Sequence, residues 1–274
     1  VCFAVVGFFD DYMKLRGKSS AGVSGKVRLL IEFGIALVLM LVMFMSDAFS
    51  YSTELYLPFV STERFSLTLP LWIYVPFALI VIVGTANAVN LTDGLDGLAI
   101  GPVIIAAGTF LVLAWGTATV LHYEEIVEGV SVVHRFDVAS YLMIPKVEGV
   151  QELAVFCATI IGAGVGFLWY NTFPAQVFMG DVGSLSMGGA LGTLAVVTKH
   201  ELLSAIIFGL FFVEALSVIT QIVSFKLTGK RVFRMAPIHH HFEMKGWPEP
   251  KIIVRFWILA IMLSLVALAS LKLR

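Results

Sequence analysis

The chain of 274 residues is 59% hydrophobic and only 14% charged, with a mean hydropathy of +0.94. An ordinary soluble domain is roughly half apolar and a quarter charged, so this composition argues against a water-soluble fold. The formal net charge of −1 does not favour a nucleic acid as a partner. The two cysteines, Cys2 and Cys157, lie in apolar runs without the spacing of a disulfide framework or a metal site.

The chain opens with an apolar stub, residues 1–9, that ends at Asp10. Nine residues are too few to cross a hydrocarbon core, which needs about 20 helical residues, so we expect an upstream portion to precede Val1. Six longer apolar segments are predicted to span the membrane, and a shorter glycine-rich segment, 183–198, is predicted to be a closely packed helix. The six segments are 29–46, 70–89, 98–121, 152–173, 202–225 and 252–271.

With the stub, these segments predict an all-α, polytopic membrane helical bundle with about eight crossings or part-crossings, forming one integral membrane domain over residues 1–274. If the helices alternate in direction, the loops fall into two sets. The set 10–28, 90–97, 174–182 and 226–255 carries twelve Lys and Arg residues, and the other loops carry six. The positive-inside rule therefore places the first set in the cytoplasm.

The chemistry-bearing polar residues fall in that cytoplasmic set, which predicts one site built from four loops on the cytoplasmic face. The first loop reads GFFDDYMKLRGKSSAGVSGK, with Asp10 and Asp11 at the end of the stub. Neighbours on a helix point about 100° apart, so one carboxylate can face a site while the other meets water, and Lys14 lies at i+4 from Asp10. An ordinary interfacial helix end is an equally weighted alternative. The glycines and basic residues that follow could hold phosphate oxygens, although no Walker pattern is present.

The second loop reads NAVNLTDGLDGLA. Asp93 and Asp96 would share a face if a helix begins at Thr92, and Asn90 adds an amide at the membrane edge. Helix caps followed by a glycine turn are the alternative explanation. Two carboxylates and an amide exceed what capping requires, which favours a functional role.

The third loop is WYNTFPAQVFMGDVGS, in which Asp181 precedes a predicted helix. Asp181 either caps this helix or binds Mg²⁺ with substrate phosphates completing the shell. Phe178 either stacks on a base or anchors the chain at the interface.

The fourth loop is MAPIHHHFEMKGWPEP. Neighbours in an extended chain point to opposite faces, so the three histidines are not expected to bind a single ion together. Imidazoles could bind a pyrophosphate or assist proton transfer, with a solvated basic loop as the alternative. Within segment 202–225, Gln221 lies near the cytoplasmic end and could reach the site, whereas the deeper Glu214 is interpreted as structural.

These motifs resemble those of the phospho-N-acetylmuramoyl-pentapeptide transferases, within the polyprenyl-phosphate N-acetylhexosamine-1-phosphate transferases. The resemblance rests on FFDDYMK, NLTDGLDG, NTFPAQVFMGDVGS and MAPIHHHFEMKGWPEPK, in that order, and covers essentially the whole chain. It implies about ten membrane helices in the full family, with about two ahead of Val1. It also implies Mg²⁺-dependent transfer from UDP-N-acetylmuramoyl-pentapeptide to undecaprenyl phosphate, forming lipid I and UMP at the cytoplasmic face of the bacterial inner membrane.

The resemblance also implies residue roles. Asp10, Asp11 and Asp181 match an acidic catalytic triad with Asp181 as the Mg²⁺ ligand, and His239, His240 and His241 match a histidine motif that we include among the catalytic candidates. The substrate-binding candidates are Lys14, Lys26, Asn90, Asp93, Asp96, Asn171, Phe178 and Gln221.

Alternatives remain at the level of mechanism and of function. An Asp could form a phosphosugar enzyme, or the lipid phosphate could attack directly; since a phosphate monoester, with a second pKa of ~6, is largely ionised at neutral pH, direct displacement is favoured. The runner-up functions are transfer of N-acetylglucosamine-1-phosphate and cation-coupled transport. The acidic residues are predicted to gather on one face of the membrane, which favours an enzyme over a transporter. The sequence does not decide the oligomeric state, and a homodimer is one candidate.

Overall fold

The computed structural model describes residues 1–17, 22–46, 52–62, 64–127 and 130–272. Within these residues, seven helices are long and apolar enough to cross a membrane. They are α2 (Gly25–Met45), α3 (Leu71–Thr92), α4 (Ile100–Ala118), α6 (Leu153–Asn171), α7 (Gly180–Val197), α9 (Gly209–Thr228) and α11 (Glu249–Ala269). The shorter α1 (Cys2–Gly17) adds a part-crossing, so the predicted all-α polytopic bundle is confirmed.

The remaining elements are short. They are the helices α5 (Val138–Leu142), α8 (Glu201–Ile207) and α10 (Ile238–Glu243), a 3₁₀ turn (Val150–Glu152), and two antiparallel hairpins, β1 (Glu54–Leu55) with β2 (Leu67–Thr68) and β3 (Val120–Val127) with β4 (Val130–Asp137). Part of the predicted Gly/Ser/Lys loop, residues 18–21, lies outside the described residues.

Helix α7 packs against α3 with almost no side chain between the two backbones. A Cβ built on Gly188 would lie 2.6 Å from the Cα of Ala86, and one on Gly192 would lie 2.8 Å from the Cα of Ile82. Small residues allow this close approach where lipid provides no hydrophobic force between helices. The shorter glycine-rich segment therefore lies in the centre of the bundle.

Another side of α7 packs closely against α1. A Cβ on Gly7 would lie 2.2 Å from the carbonyl oxygen of Asp181, and one on Gly189 would lie 2.8 Å from the ring of Phe3. Because α7 contacts both α1 and α3, the polar residues at the ends of these three helices meet at one end of the bundle.

Two predicted helix ends at this site need correction. Helix α1 does not end near Asp10 but continues to Gly17, since Lys14 pairs with Asp10 across one helical turn. Helix α7 begins at Gly180, so Asp181 lies in the first turn and not ahead of the helix. The carboxylates of both helices are therefore held on rigid backbone.

Segment 202–225, predicted as one helix, is divided into α8 and α9 at Phe208. The Phe208 ring is fully buried and lies 5.5 Å from the ring of Phe110. Gly209 follows, and glycine is a poor helix former at about 1 kcal/mol relative to alanine. A buried anchor next to a weak helix residue explains the interruption.

The predicted helix 98–121 ends earlier, at Ala118, because Thr119 turns into extended backbone at φ −79° and ψ 128°. Val120 then begins β3 and pairs with Asp137 of β4. Residues 122–151, between the predicted helices 98–121 and 152–173, hold most of the hairpin and α5. Val120, Tyr123, Ile126 and Val127 of β3 are β-branched or aromatic and suit a strand better than a helix.

We expect Gly192→Ala to lower the stability of the bundle by about 1–3 kcal/mol, because the new methyl group meets the α3 backbone. Thermal unfolding in detergent measures this. The control is Gly166→Ala on α6, where a Cβ meets nothing within 4 Å and where alanine gains ~0.5–1 kcal/mol over glycine. Equal melting temperatures for the two variants would contradict the close packing of α3 and α7.

Candidate active site

Three carboxylates converge where α1 meets α7. Asp10, Asp11 and Asp181 each offer an oxygen within 4.8 Å of the others. Like charges at this spacing repel, and they stay ionised together only with a cation nearby. The Lys14 ammonium provides it, lying 2.5 Å from Asp10 Oδ2, 2.7 Å from Asp181 Oδ2 and 3.8 Å from Asp11 Oδ1.

The neighbouring carboxylates of α1 have different surroundings. Asp10 is 2% exposed, and its Oδ1 accepts a hydrogen bond from the Val23 backbone N–H at 2.8 Å. The Asp11 side chain is 30% exposed, and its Oδ2 accepts from the Val182 N–H at 3.2 Å. Asp10 is therefore enclosed by the protein, and Asp11 is the member of the pair that faces solvent.

Asp181 is held by donors from α2 and α3 as well. Asn90 Nδ2 donates to Asp181 Oδ1 at 2.6 Å and to Ser184 Oγ at 2.9 Å. Arg28 Nη1 lies 3.5 Å from Asp181 Oδ2. This carboxylate of α7 thus collects contacts from three other helices, α1, α2 and α3.

Three polar residues that connect to Asp181, namely Arg28, Asn87 and Glu32, were not predicted as part of the site from the sequence. Arg28 Nη2 donates to Asn87 Oδ1 at 3.2 Å, and Asn87 Nδ2 donates to Glu32 Oε2 at 2.5 Å. Glu32 is fully buried, and its Oε1 lies 3.6 Å from Arg28 Nε. The available signal was an acid inside an apolar segment, four residues after an arginine. Arg28 had been used only to assign the cytoplasmic loops.

The second loop differs from its prediction. Helix α3 ends at Thr92, whose Oγ1 donates to the Ala88 carbonyl at 2.8 Å, and the chain then turns until α4. Asp93 and Asp96 therefore do not share a helix face, because no helix begins at Thr92. Burial, with the negative charges of Asp181 and Asp11, raises the pKa of Asp93 from 3.8 to about 7.

Asp96 accepts a hydrogen bond from the backbone of the third loop, and Asn171 forms hydrogen bonds with the backbone of the second and third loops. Asp96 Oδ2 accepts from the Ala175 N–H at 2.8 Å. Asn171 is 3% exposed, accepts from the Gly97 N–H at 3.0 Å and donates to the Val177 carbonyl at 2.8 Å. These contacts join the second and third loops and leave the Phe178 ring 73% exposed beside them.

The three histidines lie on the short helix α10 and not on extended chain, so that part of the prediction is wrong. Their side chains nevertheless diverge. His239 is fully buried, His240 Nδ1 lies 2.5 Å from Glu243 Oε2, and His241 Nδ1 accepts from the Arg234 N–H at 3.0 Å. Desolvation, together with the cations Lys245 and Arg234, lowers the pKa of His241 below 6.5. Because its Nδ1 accepts a hydrogen bond, the His241 ring is neutral in this arrangement.

Two of the predicted substrate-binding residues, Lys26 and Gln221, lie at the edge of the candidate site. Lys26 is exposed in the first turn of α2, whereas Arg28, two residues later, reaches Asp181. Gln221 Oε1 accepts from the N–H groups of Val232 and Phe233 at 3.0 and 2.9 Å. Gln221 thereby holds the chain that leads to the histidine helix.

Residues 1–199 match the sequence profile of glycosyl transferase family 4. The chain is 55% identical over 278 residues to the phospho-N-acetylmuramoyl-pentapeptide-transferase of Sorangium cellulosum (strain So ce56), covering 99% of this chain and 71% of that relative. The namesakes in Syntrophus aciditrophicus (strain SB) and Myxococcus xanthus (strain DK1622) are 54% and 52% identical, with 99% of this chain covered in each case and 70% and 72% of the relatives.

The bundle and its acidic cluster are those of a membrane-embedded member of glycosyl transferase family 4. Within it, the chain belongs to the phospho-N-acetylmuramoyl-pentapeptide transferases. The family predicted from the four sequence motifs is confirmed.

Arg28→Lys tests the network behind Asp181. Lysine keeps the charge but loses the planar fork that reaches Asp181, Asn87 and Glu32 together. Charged hydrogen bonds are worth about 1.5–3 kcal/mol each, so we expect kcat/KM to fall roughly tenfold or more. The control is the exposed Arg16→Lys on α1, which should retain wild-type turnover. Equal kcat/KM values for the two variants would show that the Arg28 guanidinium is not required.

The raised pKa of Asp93 predicts how stability depends on pH. The folded protein retains this proton to about pH 7 while the unfolded chain loses it near 3.8, so this group lowers stability progressively across that window as pH rises. Asp93→Asn abolishes the effect. We expect the melting temperature of the variant minus that of wild type to become more positive from about pH 4 to about pH 7. A constant difference would contradict the assignment.

Proposed function

We propose that this chain transfers phospho-N-acetylmuramoyl-pentapeptide from UDP-N-acetylmuramoyl-pentapeptide to undecaprenyl phosphate, forming lipid I and UMP in peptidoglycan synthesis. The single observation that carries the chemistry is the cluster of Asp10, Asp11 and Asp181 interleaved with Lys14 and Arg28. Acids and bases in one site suit a reaction in which two anionic phosphates meet. The named relatives support the substrate assignment.

We propose Mg²⁺ as the cofactor, with Asp181 as its main ligand and Asp10 and Asp11 beside it. The donor set fits, since hard carboxylate oxygens on rigid helices are the ligands that Mg²⁺ prefers, with substrate phosphates completing its shell. When bound, Mg²⁺ supplies positive charge that offsets repulsion between the phosphates and favours departure of UMP. The acidic cluster itself is compatible with other divalent cations, which a metal titration distinguishes.

The side chains of this protein bind and orient the substrates. Lys14 and Arg28 place two cations beside the carboxylates, where they attract the pyrophosphate and stabilise charge that develops in the transition state. The exposed ring of Phe178 is suited to stack on the uracil. His241 is suited to donate a hydrogen bond from Nε2 because its Nδ1 is an acceptor.

Direct attack by the lipid phosphate is the mechanism that the site supports best. Both carboxylate oxygens of Asp10 are engaged, by the Val23 N–H and by Lys14, and the residue is 2% exposed. An enclosed carboxylate is a poor nucleophile toward a bulky pyrophosphate. Asp11 is more open and is suited to orient the incoming phosphate, which at neutral pH needs no general base.

We propose that the protein works in the bacterial inner membrane with this end of the bundle in the cytoplasm. The excess of Lys and Arg in the loops at this end supports that orientation. At the membrane surface, a soluble nucleotide meets a lipid whose phosphate stays in the headgroup layer. The bilayer and both substrates are thus the proposed partners, and a homodimer remains a candidate assembly for cross-linking to test.

The decisive experiment measures lipid-linked product and UMP from the purified protein, with and without Mg²⁺. We expect product only with metal, and Asp181→Asn to reduce kcat by at least ~100-fold because it removes a metal ligand and charge at the reacting phosphate. Asp137→Asn, which changes a carboxylate paired with Lys146 away from the cluster, is the matched control and should keep wild-type turnover.

The nucleotide is varied in the same assay. Product from UDP-N-acetylglucosamine and not from the muramoyl substrate would transfer the assignment to the related N-acetylglucosamine-1-phosphate transferases. Absence of product from either nucleotide, with folding confirmed, would reject phosphosugar transfer and favour cation-coupled transport.

A further inference from the structure

A fully buried acid lies within the membrane span of α9, outside the acidic cluster. Glu214 is 0% exposed, as is His239 of α10, and His239 Nδ1 lies 3.1 Å from Glu214 Oε2. The His239 backbone nitrogen lies 3.5 Å from the same oxygen. A polar group at such depth is costly unless it has a partner, and this one has the first histidine of the histidine motif.

The other edge of the His239 ring faces the second cytoplasmic loop. A Cβ built on Gly94 would lie 2.3 Å from His239 Nε2 and 2.9 Å from Cε1, so the ring fits only because residue 94 is glycine. Among the described residues, neither ring nitrogen has a partner in hydrogen-bond geometry, and Nδ1 is the one that faces the Glu214 carboxylate. Nδ1 is therefore the nitrogen placed to donate a proton toward Glu214.

His239 therefore joins three pieces of chain that are remote in sequence. It contacts Glu214 on α9, Gly94 in the turn after α3, and the ring of His240 at a centroid distance of 4.2 Å. Asp93 precedes Gly94 directly. A shift of His239 would move one side of the candidate site relative to the other.

We propose that Glu214 is a positioning residue: by holding His239 in one orientation, it seats the histidine helix against the Gly94 turn and sets the distance from His240 and His241 to Asp93. Glu214 lies outside the acidic cluster and contacts His239, so its proposed effect on the site acts through His239. This inference depends on the proposed function only for its activity readout.

The first experiment compares Glu214→Gln with Glu214→Leu in the purified, folded protein. Glutamine keeps a carbonyl oxygen that accepts from Nδ1–H, whereas leucine has a similar size and no acceptor. We expect Gln to retain kcat within a few-fold and Leu to lower it by roughly 10–100-fold, as removal of an outer-shell hydrogen-bond partner does elsewhere. A Leu variant with wild-type kcat per folded molecule, whatever its melting temperature, would overturn the proposal.

The second experiment tests the contact at Gly94. Gly94→Ala should lower kcat, while the control Gly84→Ala, on α3 where a Cβ meets nothing within 4 Å, should not. In a His239→Ala background the methyl group has room, so the additional loss from Gly94→Ala should be several-fold smaller. Equal losses in both backgrounds would show that His239 is not what Gly94 accommodates.

The third readout needs no activity, and it separates failure of this inference from failure of the proposed function. Nitrogen-15 NMR of histidine-labelled protein reports the tautomer of each imidazole, with His239 identified by its signal being lost in His239→Gln. We expect the Nδ1–H tautomer in wild type and in Glu214→Gln, and its loss in Glu214→Leu. An Nε2–H tautomer in wild type would overturn the proposal even if lipid-linked product forms normally.

Discussion

The arrangement of charges around Lys14 is the interaction on which the rest of the site depends. Three carboxylates gather at the edge of a low-dielectric slab, where an unpaired charge is strongly disfavoured. The Lys14 ammonium lies within 4 Å of all three, and Arg28 approaches Asp181 from α2. Such pairs are sensitive to distance, since the Coulomb energy falls as 1/r and each partner must remain desolvated. The helices that carry them must therefore be placed accurately.

Glycine packing around α7 provides that accuracy. Gly188 and Gly192 bring its backbone against α3, and Gly7 brings α1 against its first turn. The same first turn carries Asp181, which receives contacts from Lys14 on one side and Asn90 on the other. Larger side chains between these helices would move the carboxylates away from their cations. The ion pairs at the membrane surface therefore depend on the glycine packing within the bilayer.

The membrane-spanning helices were predicted well from the sequence, whereas the side-chain contacts at the ends of these helices were predicted less well. Apolar length identified the spans because it reflects bilayer thickness, which is independent of tertiary contacts. The turn at Asp93 and Asp96 was only the alternative prediction; the preferred shared face was wrong because an i, i+3 spacing has meaning only on a helix, and α3 ends at Thr92. The hydrogen bond of Glu32 with Asn87 and the buried contact of Glu214 with His239 both depend on a partner from another helix, which no local pattern specifies.

The charge balance of the cluster explains why metal and nucleotide should bind together. In the protein alone, the three carboxylates outnumber the cations Lys14 and Arg28, and Arg28 is shared with Glu32. The excess of negative charge opposes an incoming pyrophosphate. A divalent cation held by these carboxylates would supply positive charge that offsets this excess and attracts the pyrophosphate. In the proposed reaction, each ligand would remove an electrostatic obstacle to the other, and by linkage each would raise the other's affinity by the same factor.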